Sequence, residues 1–174
     1  MDYKNNTKRV VLMGLFIALQ IVLMRIFFIP ILPQLRIEFS FLPLAFIGIM
    51  FGPLYGAIAG ATADFIGFAL FNPGAPYNPG LTLSGALVGG IYGYFLHKKD
   101  QPIGWFKTKN LVIASILVGV EYLLLRTVWL YMIFGYSAIA VLPYRFVWIV
   151  ALVVSSIVGI GFFNKAVIKQ IFRQ

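Results

Sequence analysis

The sequence predicts an all-α integral membrane bundle of six transmembrane helices, and three observations carry that prediction. Of its 174 residues, 61% are hydrophobic and only 11% are charged, with a mean hydropathy of +0.93. The apolar residues fall in long runs, and a helix of about 20 such residues rises ~30 Å, the thickness of a bilayer's hydrocarbon core. The lysines lie between the runs rather than within them. One transmembrane domain, residues 1–174, is expected, since no linker or long repeat divides the chain.

The first apolar run follows Lys8 and Arg9 and continues to Phe28. It ends in Pro30 and Pro33 without a small-residue cleavage pattern, so it reads as a retained helix rather than a signal peptide. A loop with Arg36 and Glu38 follows, and then a short apolar stretch, Phe39 to Phe51, that barely spans. Gly52 and Pro53 turn the chain into helix three, Leu54 to Phe71, because proline cannot continue the preceding helix but can open a new one. The segment FNPGAPYNPG, Phe71 to Gly80, is dense in turn formers and reads as a loop. Helix four covers Leu81 to His97. A polar segment with Lys98, Lys99, Asp100, Lys107 and Lys109 leads to helix five, Asn110 to Phe134, and helix six follows Pro143 to about Phe163.

Fourteen Lys and Arg against five Asp and Glu give a net charge of +9. In a soluble protein that excess would suggest nucleic acid. In a membrane protein it marks the cytoplasmic side, so no nucleic acid is expected. If both termini are cytoplasmic, Lys4, Lys8, Arg9, Lys98, Lys99, Lys107, Lys109, Lys165, Lys169 and Arg173 all fall inside. The bases left over are all arginine: Arg25 near the outer end of helix one, Arg36 in the first outer loop, Arg126 in helix five and Arg145 at the start of helix six.

Charges within membrane segments are costly and usually face a cavity or a partner. Guanidinium groups pair bidentately with carboxylates, so this set suits an anionic ligand. The alternative is pairing within the protein, Arg36 with Glu38 and Arg126 with Glu121, while the others reach for headgroups. Glu121 and Asp64 lie well inside their helices. Glu121 either accepts hydrogen bonds from an aminopyrimidine-like edge or neutralises Arg126, five residues on and about 140° around the helix. Asp64 reads as a structural hydrogen-bonding group. Tyr122, Arg126 and Trp129 share one helical face, and Trp148 follows Arg145 by three, so either aromatic could stack a flat ring or belong to an interfacial belt. Gly14 and Ala18 in helix one, Gly56 and Gly60 in helix three, and Gly85, Gly89 and Gly93 in helix four let backbones approach closely. For Gly14 and Ala18 a partner protein competes with packing inside the bundle.

The chain has no cysteine and a single histidine, His97. It has no GxxxxGK[ST] phosphate loop, no HExxH and no Ser/His/Asp set. No catalytic residue, metal or cofactor is expected, and any driving force must come from elsewhere.

Two segments, FLPLAFIGIMFGPLYGAIAGATADFIGFALF (Phe41 to Phe71) and YNPGLTLSGALVGGIYGYFLHKK (Tyr77 to Lys99), resemble the substrate-binding S components of energy-coupling factor (ECF) vitamin transporters, most closely the folate-specific ones. The resemblance implies a multi-pass protein of a prokaryotic plasma membrane that binds a vitamin at its outer face. It also implies docking through helix one onto a membrane coupling (T) subunit driven by two cytoplasmic ATPases. The family's docking pair is usually two alanines, which read here as Gly14 and Ala18. Folate, with a flat pterin, an aminobenzoate and a glutamate bearing two carboxylates, then implies a substrate set. Arg25, Arg36, Arg126 and Arg145 would meet anions and rings, Glu121 the pterin edge, and Tyr122, Trp129 and Trp148 would stack. Asn72, Gly74, Tyr77 and Asn78 would belong to a lid. The rivals are an S component for riboflavin, thiamine or pantothenate, a small membrane enzyme acting on lipid, and a self-sufficient facilitator.

Overall fold

A computed structural model of the chain describes residues 6–32, 35–71, 77–98, 106–135, 140 and 142–163. It is a helical bundle in the order α1 (Asn6–Arg25), β1 (Phe28–Leu32), β2 (Leu35–Glu38), α2 (Phe41–Phe51), α3 (Pro53–Phe71), α4 (Pro79–Leu96), α5 (Thr108–Leu123), α6 (Leu125–Phe134) and α7 (Leu142–Phe163). The apolar stretch Thr108–Ile133 runs through α5 and α6 as one segment, which leaves the six helices that the sequence predicts among the described residues; three of them, Pro53–Phe71, Thr108–Ile133 and Leu142–Phe162, are long and apolar enough to cross a membrane by themselves.

Two details differ from the reading of the sequence. The stretch expected to be a loop after α1 is an antiparallel hairpin, with Phe28 opposite Glu38, Ile29 opposite Ile37 and Pro30 opposite Arg36. In Leu35–Glu38, apolar and charged residues alternate with the period of a strand. Pro30, which lacks an N–H, is tolerated in a two-stranded ribbon because each strand has an unpaired edge. The second difference is a turn at Leu124 between α5 and α6. The Leu124 N–H still donates to Val120 O at 2.9 Å and Val128 N–H to Leu124 O at 3.1 Å, so helical hydrogen bonding continues across the turn. Nothing in the local sequence, which has neither Pro nor Gly there, explains the break.

The core forms around α2, all of whose residues except Leu42 and Phe46 are buried. A helix that is apolar all round must be surrounded, and α1, α3, α4 and α7 enclose it. With 11 residues it rises only ~16 Å and cannot span alone. Its neighbours α3 and α4 form the tightest pair. A Cβ on Gly60 would collide with the Gly85 backbone, and one on Gly85 would sit 2.8 Å from Gly60 O; Gly56 and Gly89 face each other in the same way. At the lysine-rich end, Gly52 takes a φ of +95° between α2 and α3. There His97 Nδ1–H donates to Ile49 O at 2.9 Å, and Asn110 donates to Phe95 O at 3.1 Å, tying that end together.

The glycine contacts give a stability prediction. Gly60→Ala should cost roughly 1–3 kcal/mol, as overpacking does, and lower the melting temperature in detergent. Gly90→Ala should leave it unchanged, because its Cβ would meet only ordinary contacts, Ala57 Cβ at 3.8 Å and Pro53 O at 4.0 Å. Equal melting temperatures for the two variants would contradict this account of the α3–α4 seam.

Candidate functional site

The ends of α1 and α3, the hairpin and the starts of α4 and α7 meet α6 at one end of the bundle, and most of the chemistry-bearing side chains collect there. Arg25 is the last residue of α1. Its Nη2 lies 3.7 Å from Asp64 Oδ1 on α3, with both side chains largely buried. Arg126 Nη2 on α6 lies 3.7 Å from Glu38 Oε1 at the end of β2, and the Glu38 side chain is 6% exposed. Both contacts are longer than the ~2.7–2.9 Å of a charge-assisted hydrogen bond, so they are ion pairs held by proximity. Arg126 also lies over the Tyr122 ring, 4.4 Å from its centroid. Arg145 Nη1 donates to Thr127 Oγ1 at 2.7 Å.

A hydrogen-bonded chain holds Asp64. Thr82 Oγ1 donates to Asp64 Oδ2 at 2.7 Å. That spends the hydroxyl's single proton, so the Tyr77 hydroxyl, 2.7 Å away, must donate to Thr82. Tyr77 packs edge-on against Phe65 with centroids 5.7 Å apart and tilts over Phe68 at 5.2 Å. Asn78 caps α4 by accepting from Gly80 N–H at 2.8 Å, and its amide donates to Trp129 O at 3.1 Å. Gly80 packs directly on the Trp129 indole, where a Cβ would fall on the ring.

Two spaces flank α4. A cleft of ≈ 580 Å³ lies among Tyr77, Asn78, Gly80, Leu83, Trp129 and Ile133. Deeper in the bundle is a small cavity of ≈ 20 Å³ with Gln20, Glu38, Asp64, Ser84, Tyr122 and Arg126 on its walls. That is room for about one water. Beside it, Glu121 is 5% exposed. Neither of its carboxylate oxygens makes a well-formed hydrogen bond among the described residues, although the Ser84 hydroxyl is close enough to act on it, and Gln20 Oε1 likewise has no such bond. Buried polar atoms are normally satisfied. This cluster is therefore set to accept from a donor-bearing guest or from water.

Arg25, Tyr77, Asn78, Glu121, Tyr122, Arg126, Trp129 and Arg145 thus gather at one end. Trp148 sits against the hydrophobic core instead. Arg36 lies on β2 opposite Pro30. Asn72 and Gly74 lie outside the described residues. The partner seen for Arg126 is Glu38 rather than Glu121, because five residues along a helix point the two side chains poorly at each other. Asp64 is both hydrogen-bonded, as expected, and ion-paired, which was not expected. Gln20, Thr82, Ser84 and Thr127 were missed; polar residues on apolar helices near an unpaired acid or arginine are the signal that marks them.

Fold and charge pattern together define a multi-pass membrane protein with a charged cavity at one end of its bundle. Residues 8–167 match the family described as "ECF transporter, substrate-specific component", and the chain belongs to that family. It is therefore a transport component and not an enzyme. Among its relatives, "Folate transporter FolT" of Clostridium novyi (strain NT) is 38% identical over 71% of this chain and 68% of the relative. A "Folate transporter FolT" of Leuconostoc mesenteroides subsp. mesenteroides is 30% identical over 75% of this chain and 68% of the relative. A crystal structure of FolT bound with folic acid superposes with a TM-score of 0.76 at 35% identity, covering 88% of this chain and 89% of the other.

The Arg126–Glu38 pair yields a prediction. Arg126→Ala takes the guanidinium away from a buried carboxylate and should cost roughly 3–5 kcal/mol. Adding Glu38→Gln should restore a large part of that, measured by thermal unfolding in detergent without ligand. A purely additive double variant would show that the two residues do not interact.

Proposed function

We propose that this chain is the high-affinity folate-binding S component of an ECF importer, capturing folate on the outer side of the cell membrane. It would deliver folate to a coupling subunit driven by two ATPases. The observation that carries this reading is the agreement between its chamber and its kinship. A buried carboxylate without a well-formed hydrogen bond among the described residues lies beside arginines and tyrosine, in a chain 35% identical to a FolT solved with folic acid. In this reading both termini are cytoplasmic, and the arginine-bearing end faces out.

The pterin's donor edge would meet Glu121, with Tyr122 and Arg126 against its face. Arg25 and Arg145 would take the glutamate carboxylates, with Arg36 nearby. The cleft bounded by Tyr77, Asn78 and Trp129 would be the entry, and the segment containing Asn72 and Gly74 its lid. Trp148, packed on the core, would support the site from behind. Helix α1 supports docking on a partner: Gly14 and Ala18 are both exposed, and a Cβ at Gly14 would meet nothing within 4 Å. A small-residue face open on its outer side suits close approach by another membrane helix.

Purified protein should bind folate one to one without ATP. Glu121→Gln, which replaces an acceptor oxygen with a donor, should weaken binding by about 1.5–3 kcal/mol, as loss of a charged hydrogen bond does, in isothermal titration. Lys107→Ala, at the opposite end, should bind like the unmodified protein. Unchanged affinity in Glu121→Gln would remove Glu121 from the ligand's contacts.

A further inference from the structure

Two residues clasp the start of α4 to α6. The Asn78 side chain accepts from Gly80 N–H at 2.8 Å, and its amide donates to Trp129 O at 3.1 Å, so one residue both caps α4 and ties it to the backbone that carries the indole. Gly80, which is buried, lies on that indole. A Cβ there would fall on Cδ2 and Cε3 and stand 2.6 Å from Cε2. Cδ2 is a ring-fusion atom that its bonded neighbours enclose within the plane, so it can be approached only through a face. Gly80 therefore covers one face of the ring, with no space for a side chain between them. Trp129 is half-buried and lines the ≈ 580 Å³ cleft with Tyr77, Leu83 and Ile133. Gly80 and Trp129 stand about one helical turn, 5.4 Å, nearer the end of the bundle than Ser84 and Arg126, which line the small cavity.

We propose that Gly80 and Asn78 are positioning residues that seat the Trp129 indole, and that the indole's other face is a platform for an aromatic ring of the ligand. The platform rests on the folate reading, in which the pterin lies with Glu121 and the acid tail with Arg25 and Arg145. The aminobenzoyl ring between those two parts is the one the cleft takes. Room and chemistry agree, since the cleft is large enough for a benzene ring and an indole face favours offset stacking. Seating matters because a side chain that must be ordered when the ligand arrives spends part of the binding energy on its own ordering. Here folding has already ordered it. No side chain at position 80 pushes the ring aside, and the Asn78 amide holds the backbone beneath it. Asn78 thus acts through Trp129 rather than on the ligand.

The test titrates the purified protein in detergent with folate and with pterin-6-carboxylate, which lacks the aminobenzoyl ring. Gly80→Ala displaces the indole and should weaken folate binding about fivefold, the scale of one aromatic pair, while leaving pterin-6-carboxylate binding unchanged. Asn78→Asp keeps an acceptor for Gly80 N–H but has no proton for Trp129 O, so it should show the same selective loss and decides the matter if Gly80→Ala does not fold. In a Trp129→Leu background, Gly80→Ala should cost nothing further. Equal losses for the two ligands, or a loss that persists without Trp129, overturns the positioning role. The seat is also read without any ligand, by acrylamide quenching of Trp129 in a chain whose other two tryptophans are replaced by phenylalanine. Gly80→Ala should raise that quenching, and unchanged quenching overturns the seat. Unmodified protein that binds neither ligand overturns the folate reading, and quenching then decides the seat on its own.

Discussion

Hydrocarbon offers a buried charge no water, so every ionised group within the bundle must find a charge or a dipole of its own. That requirement organises the arginine-bearing end of this protein. It draws Glu38 inward at the end of the hairpin and so fixes where the ribbon ends and α2 begins. It ties the last residue of α1 to α3 through Asp64, and it sets Thr127 against Arg145. The helices supply the walls through glycine-mediated contact, but the charges determine which walls meet.

The crossings were legible because length and apolarity are local properties of a sequence. The Gly56, Gly60, Gly85 and Gly89 spacing likewise foretold the α3–α4 seam. The hairpin was not legible, since Pro30 and Pro33 read as loop formers and the strands are only four or five residues long. Nor were the pairings, because Arg126 and Glu38 lie far apart in the chain and only the fold brings them together. A clue was present all the same. Of the five acids, Glu38, Asp64 and Glu121 all fall away from the lysine-rich ends of their segments. Three acids among the outer arginines foretell internal pairing, and that weakens the inference that surplus arginines by themselves imply an anionic ligand. Kinship with folate-binding relatives, together with the buried Glu121, carries the functional reading instead.

Division of labour follows from the same layout. One end of the bundle holds a small chamber and an adjacent cleft. Along α1, Gly14 and Ala18 leave a smooth face for a neighbouring helix. As a substrate-specific component, the chain leaves the driving of transport to partners.

The measurement that bears most directly on this account is native mass spectrometry of the protein purified from cells and then offered folate alongside riboflavin, thiamine and pantothenate. The account predicts a one-to-one adduct with the mass of a folate and none of the others. A one-to-one adduct with any of the other three vitamins, or no adduct at all, would contradict it.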